Sequence, residues 1–134
     1  MSISSLDTSL IVRVITNHSP EKRLQVLDLL TENNHIFHLF LPALIETVYV
    51  LEKVYNFPRE KLASRLNFFL THFSDNIIYD HPLTAIAFPL YLEQPQLSFN
   101  DCLLSACAEV KNAEPLYTFD QALAKKSPSA KLLG

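Results

Sequence analysis

Glycine is almost absent from this chain of 134 residues, whose only glycine is the last residue, Gly134. The chain therefore has no glycine-rich loop of the kind that holds phosphates in P-loop and Rossmann nucleotide-binding proteins. Cysteine is scarce as well, since only Cys102 and Cys107 are present, on one predicted helix. Side chains five positions apart point to different faces of a helix, so we expect reduced thiols that neither pair nor share a metal ion.

Excess positive charge and long apolar runs are also missing. The formal net charge is −3, which argues against a protein that binds nucleic acid through bulk positive charge. The amino-terminal stretch "MSISSLDTSL" has no basic segment followed by an apolar one, and the most apolar stretch is interrupted by His38, Pro42 and Glu46. We therefore predict neither secretion nor a membrane span, and expect a cytoplasmic protein.

Hydrophobic residues are plentiful, at 49% of the chain, which is enough for a single domain over residues 1–134 with its own core. Short apolar runs alternate with longer amphipathic segments, which is typical of the α/β class. We predict strands at about residues 3–6, 35–41, 76–80 and 115–119, with 130–134 as a further edge strand. The predicted helices cover residues 8–16, 20–33, 42–55, 58–73, 83–93, 98–112 and 120–126.

Four acidic residues occupy related places in this pattern. Asp7 directly follows the first strand and Asp120 the fourth, Glu46 lies about one turn into the helix after the second strand, and Asp101 is near the start of its helix. If the sheet is parallel, all four side chains converge on its carboxyl edge, where open α/β sheets bind ligands. Carboxylates about 5 Å apart repel by roughly 3 kcal/mol at an effective dielectric constant near 20, so such a pocket needs a cation. Oxygen donors favour Mg²⁺ or Mn²⁺ over zinc.

Each of these acids also has a purely structural interpretation. Asp7 and Asp120 can act as N-caps, and Asp101 forms an S-x-x-D capping pattern with Ser98. Glu46 shares one side of its helix with a lysine seven residues further on, so both can belong to an exposed strip. Taken singly, each acid fits these explanations, and only their joint placement favours a metal site.

Aromatic residues are concentrated on two helices. Leu62, Leu66, Phe69 and Phe73 follow the spacing of one apolar helical stripe. We expect Tyr49 and Phe68 to lie in the core together with Phe69 and Phe73, although a helix this aromatic can also leave a patch for a partner.

Three segments taken together resemble a known protein family. They are "SLDTSLIVRVI", "LPALIETVYVLEKVYNFPREKLASRLNFFL" and "LSFNDCLLSACAEVKNAEPLYTFDQAL". The sequence resembles the PIN-domain ribonucleases, and particularly the VapC-like toxins of bacterial toxin–antitoxin pairs. The resemblance covers nearly the whole chain and implies a PIN-like three-layer α/β/α fold, with a short, mainly parallel sheet of four to five strands flanked by helices.

The resemblance also implies a site and a chemistry. Asp7, Glu46, Asp101 and Asp120 match the four acidic active-site positions of the family, and Thr118 matches a hydroxyl residue two positions before the last acid. The implied reaction is hydrolysis of RNA phosphodiester bonds with Mg²⁺ or Mn²⁺, which leaves a 5′-phosphate and a 3′-hydroxyl. The implied partners are an antitoxin protein and a second copy of the chain.

The sequence departs from the family pattern at two places. Ser9 stands where many relatives have asparagine, and "KNAEPLYTF" lacks the glycine that is common before the last strand. Neither change touches an acid, so these departures concern substrate and turn geometry. The basic side chains that can contact RNA phosphates, or act simply as exposed solubilising charges, are Arg13, Arg59, Lys61 and Arg65.

Other functions stay open on the residues alone. The chain can be a non-catalytic PIN-like module that binds a protein through its apolar helices and keeps the acids for helix capping. An aspartate-based phosphotransferase fits poorly, because Asp7 is followed by "TSL" with no second acid two residues on.

Overall fold

The computed structural model describes all 134 residues and confirms the α/β class. The strands are β1 (Ser2–Ser5), β2 (His35–His38), β3 (Ile77–Ile78), β4 (Leu116–Thr118) and β5 (Ala130–Leu132). The helices are α1 (Thr8–Thr16), α2 (Pro20–Leu30), α3 (Leu41–Lys53), α4 (Arg59–His72), α5 (His81–Glu93), α6 (Phe99–Val110) and α7 (Gln121–Lys126). None of these helices combines the length and hydrophobicity that crossing a membrane requires.

The chain divides into two compact units, Met1–Tyr79 and Asp80–Gly134. All five strands pair in parallel, as predicted, but their hydrogen bonds form a three-stranded sheet and a two-stranded sheet. The expectation of one domain over residues 1–134 stays a prediction.

The first unit is built on the sheet β1-β2-β3. Ser2 lies opposite His35 at one end of the β1–β2 pairing, and Ser5 lies opposite His38 at the other. In the middle of the sheet, Phe37 is 1% exposed and is paired with Ile77 of β3. Since the strands are parallel, the loops that leave β1 and β2 begin at the same edge of the sheet.

The helices of the first unit bury the apolar stripe that the spacing predicts on α4. Its members are Leu62, Leu66, Phe69 and Phe73, all buried. The expectation that Tyr49 and Phe68 are core residues is wrong, because they are 61% and 68% exposed. Each is the immediate neighbour of a buried residue, Val48 or Phe69, and one helical step turns a side chain by about 100°, away from the face that packs.

The second unit pairs α5 with α6 and β4 with β5. Tyr91, Phe88 and Phe99 form an aromatic cluster between the two helices, with Tyr91 completely buried and its ring 5.5 Å from that of Phe99. Cys102 is buried on α6 and both cysteines are free, as expected. The edge strand predicted at the carboxyl terminus is confirmed as β5, which pairs with β4.

Asparagine takes the conformations that glycine usually takes. The residues other than glycine with positive φ are Asn17, Asn34, Asn56 and Asn112, at 50° to 59°. Asparagine tolerates the left-handed region better than most residues, because its short polar side chain can bond locally to the backbone. Asn112 lies in "KNAEPLYTF", so this asparagine makes the left-handed turn between α6 and β4.

Candidate active site

Asp7 lies between the end of β1 and the start of α1. It occupies the N-cap position of α1 with an extended backbone, but its carboxylate makes no capping hydrogen bond. Instead, Oδ2 of Asp7 accepts a hydrogen bond of 2.9 Å from Oγ of Ser9. The Asp7 side chain is exposed, so the structure leaves it accessible to a ligand rather than using it to close the helix.

Glu46 is an exposed residue on α3, a helix that packs through one buried face. Its neighbours Thr47 and Val48 are almost completely inaccessible to solvent. On the same side of the helix, Nζ of Lys53 lies 3.4 Å from Oε1 of Glu52. The position of Glu46 is therefore set by a helix that is anchored through its buried face.

A shared backbone acceptor connects the two chain segments that carry Asp7 and Glu46. The carbonyl oxygen of Ala43 accepts hydrogen bonds from Oγ1 of Thr8, at 3.1 Å, and from Oγ1 of Thr47, at 2.7 Å. Thr8 directly follows Asp7, and Thr47 directly follows Glu46. Both hydroxyl residues are buried, so their hydrogen bonds fix the start of α1 against the first turns of α3.

Asp101 has the capping role that its S-x-x-D pattern predicts. The backbone N–H of Asp101 donates to Oγ of Ser98 at 3.1 Å, and the Ser98 N–H donates to Oδ2 of Asp101 at 3.4 Å. These two bonds form a capping box at the start of α6. The bond to Oδ2 is long, and the half-buried carboxylate has a second oxygen that can bind a cation.

Asp120 is the N-cap of α7 and uses its side chain for that purpose. Oδ1 of Asp120 accepts from the backbone N–H of Leu123 at 3.0 Å. Oγ1 of Thr118 accepts from the Asp120 N–H at 3.0 Å. The hydroxyl residue two positions before the last acid therefore shapes the turn in which that acid sits.

A chain of buried serines supports Asp101 and was not predicted from the sequence. Ser127 donates to Oγ of Ser105 at 2.8 Å, and Ser105 donates to the backbone carbonyl of Asp101 at 3.1 Å. Ser127 also accepts from the N–H of Ser129 at 3.2 Å. These serines are buried, and they connect α6 to the end of α7. Serine in a helix gives no sequence signal of such a partner, because the contact spans 22 positions.

The four acids are distributed evenly between the two units: Asp7 and Glu46 belong to the first, Asp101 and Asp120 to the second. No group of three or more His, Cys, Asp or Glu side chains is arranged to hold a metal ion. The convergence of the four carboxylates on one edge therefore stays a prediction. Their chemistry nevertheless suits a hard cation, because all of them offer carboxylate oxygens and three of them are exposed.

Two grooves lie on the first unit, and the smaller one includes the serine that contacts Asp7. One, of about 380 Å³, runs between α1 and α2 and is lined by Ser9, Arg13 and Lys22 among others. The other, of about 730 Å³, involves α1, α2 and α4, and Arg65 and Phe68 are among its lining residues. Arg13 thus shares the smaller groove with the serine that contacts Asp7. Of the remaining predicted phosphate contacts, Lys61 has its Nζ 4.3 Å from the ring centre of Phe57.

Comparison with known proteins identifies the family. The family model of the PIN domain matches residues 5–127, and the chain belongs to the PIN domain family. A crystal structure of VapBC2 from Rickettsia felis, bound to a DNA fragment from its promoter, contains a similar chain with 23% identity and a TM-score of 0.42. The similarity covers 98% of this chain and 97% of that one. The curated proteins contain no significant match.

Proposed function

We propose that this PIN domain is a ribonuclease that depends on Mg²⁺ or Mn²⁺ and hydrolyses RNA phosphodiester bonds. The supporting observation is that the family match over residues 5–127 includes all four acids, three at the start of a helix and Glu46 about one turn into α3. Asp7, Glu46 and Asp120 belong to the loops or helices that directly follow β1, β2 and β4, and Asp101 lies in the first turn of α6.

The proposed roles follow from the environment of each acid. Asp7, Asp101 and Asp120 would hold the metal ion directly, and Glu46 would bind it through water or accept the proton of the attacking water. A bound Mg²⁺ or Mn²⁺ ion would polarise the scissile phosphate and acidify water. Ser9 orients the Asp7 carboxylate, and the capping bonds of Asp101 and Asp120 fix their positions on α6 and α7.

The proposed biological setting is a toxin–antitoxin pair in the cytoplasm. The resemblance of the acid-bearing segments to VapC-like toxins supports an antitoxin protein that inhibits the nuclease, and a homodimer as the active form. Arg13 and Lys22, which line the groove next to Ser9, supply positive charge for RNA phosphates despite the acidic net charge of the chain.

The test is cleavage of a mixed pool of single-stranded RNA by purified protein, with and without Mn²⁺. We expect Mn²⁺-dependent cleavage that falls by at least about 100-fold in Asp7→Asn and Glu46→Gln. The control is Asp28→Asn, an exposed aspartate on α2 outside the four acids. Cleavage that survives in both site variants, or that is equally lost in Asp28→Asn, would exclude this site assignment.

A second candidate function is a non-catalytic module that binds another protein. It is favoured by the 730 Å³ groove of the first unit and by Phe68, which lines this groove and is 68% exposed. The module requires no metal, so a wild-type protein that neither binds Mn²⁺ nor cleaves any RNA would favour this interpretation.

A further inference from the structure

The end of β2 and the start of α3 carry a stacked aromatic pair. The rings of His38 and Phe40 lie 5.6 Å apart between centres and are inclined by only 13°. This is an offset-stacked arrangement, which is favourable for aromatic pairs. Phe40 is 58% exposed, whereas His38 is half-buried. His38 therefore supports a phenylalanine ring that is mostly open to solvent.

The sheet register brings this pair beside Asp7. Ser5 is paired with His38, and the N–H of Leu6 donates to the carbonyl oxygen of His38 at 3.0 Å. Continued by two residues, the same register places Phe40 opposite Asp7. Both residues have extended backbones, with φ of −87° at Asp7 and −78° at Phe40, and both are N-caps of the following helices. Phe40 thus lies at the carboxyl edge of the sheet, where α/β proteins bind ligands.

The surroundings of Phe40 indicate what kind of ligand fits. His38 is flanked in the sheet by the polar Ser5 on one side and by Ile78 on the other, and the Asp7 carboxylate is exposed nearby. Ile78 is 50% exposed, so the surface around this aromatic pair is partly apolar and partly polar, which suits an unpaired nucleobase with its aromatic face and polar edges.

We propose that Phe40, supported by His38, stacks on an unpaired base of the RNA next to the phosphate that is cleaved. This inference rests on the proposed ribonuclease function and assigns a substrate-positioning residue to the same site. Stacking on an aromatic side chain accepts any base, so Phe40 would select single-stranded over paired RNA rather than a particular sequence.

The test is binding of a short single-stranded oligoribonucleotide that carries the fluorescent base 2-aminopurine, with Ca²⁺ in place of Mn²⁺ to suppress cleavage. We expect quenching on binding to wild-type protein, and a dissociation constant raised roughly tenfold in Phe40→Leu. Phe40→Tyr, which keeps an aromatic ring, should bind within about twofold of wild type. Phe68→Leu is the matched control, because Phe68 is also exposed, at 68% against 58% for Phe40, but lies on α4, and it should bind as wild type does.

Cleavage kinetics separate this inference from the proposed function. Phe40→Leu should raise KM roughly tenfold and leave kcat nearly unchanged, whereas loss of a site acid lowers kcat. If the wild-type protein cleaves RNA and Phe40→Leu has the same KM, the stacking role would be overturned and the ribonuclease function would stand. A wild-type protein that binds Mn²⁺ but does not quench the oligonucleotide would also overturn it. Equal losses in Phe40→Leu and Phe40→Tyr would contradict it as well, since the aromatic face would not be what matters.

Discussion

Ser9 donates a hydrogen bond from Oγ to Oδ2 of Asp7 over 2.9 Å, at the junction of β1 and α1. The hydroxyl of Ser9 is thus in direct contact with one of the four proposed site carboxylates. The N-cap residue of α1 is thereby held by a side-chain hydroxyl instead of closing the helix.

Ser9→Ala tests whether this hydrogen bond orients a metal ligand. We expect Mn²⁺ affinity to fall by about tenfold, as for other side chains that orient ligands, with the free energy of unfolding changed by less than about 0.5 kcal/mol. The measurements are calorimetry for Mn²⁺ and urea denaturation for stability. Ser9→Asn, whose side-chain amide can also donate to the carboxylate, should retain most of the affinity. Identical Mn²⁺ affinities in Ser9→Ala and wild type would show that the bond has no part in binding.

Thr8→Val tests the hydrogen bond between α1 and α3. Valine keeps the shape of threonine but removes the hydroxyl that donates to the carbonyl of Ala43, so we expect a loss of about 1 kcal/mol in urea denaturation. Thr16→Val is the control on the same helix, since its hydroxyl bonds only to nearby backbone: it donates to the carbonyl of Val12 and accepts from the N–H of His18. Thr8→Val should also weaken Mn²⁺ binding, because it loosens the backbone next to Asp7, whereas Thr16→Val should not. Equal effects of the two substitutions would rule out a role for the contact between the helices.

Asp120 allows capping and metal binding to be separated. Asparagine caps helices about as well as aspartate, so Asp120→Asn should keep the stability of the protein, while Asp120→Ala should lose about 1 kcal/mol. Both should lose Mn²⁺-dependent cleavage if Asp120 is a ligand. Asp80 is the matched control, because its Oδ1 accepts from the N–H of Leu83 at 3.2 Å in the same N-cap arrangement on α5. Asp80→Asn should therefore remain fully active. Full activity in Asp120→Asn would show that Asp120 caps the helix and does not bind the metal ion.

Replacing Asn112 by glycine should keep the stability of the protein, whereas replacing it by alanine should lower it. Its φ of 53° is costly for a residue with a Cβ and no local hydrogen bond, so Asn112→Ala should be destabilised by about 1 kcal/mol in urea denaturation. Asn112→Gly should be as stable as wild type or slightly more so. Asn100→Ala, within α6, is the control and should not lose stability, because alanine favours a helix. Equal stabilities of Asn112→Ala and Asn112→Gly would contradict the left-handed turn.

Much of the fold could be predicted because its local signals are strong. Pro20 opens α2, Ser98 and Asp101 form the predicted capping box, and the apolar stripe on α4 is buried as its spacing indicates. Tyr49 and Phe68 could not be placed, because the buried face of an amphipathic helix is decided by what packs against it. The acids of the site could be identified from their positions after the predicted strands. The hydrogen bonds of the Ser9 and Thr8 hydroxyls could not be predicted, because they depend on the three-dimensional arrangement of the chain.

The proposed acidic metal site is tested most directly by Mn²⁺ binding in calorimetry. The comparison is between wild type and Asp101→Asn, in protein freed of any antitoxin. Asparagine can still accept the capping bond from Ser98, so circular dichroism should show both proteins folded. The proposed metal site requires that wild type binds Mn²⁺ and that the substitution abolishes binding. Absence of binding by the wild type at millimolar Mn²⁺, or undiminished binding by a folded Asp101→Asn, would contradict it.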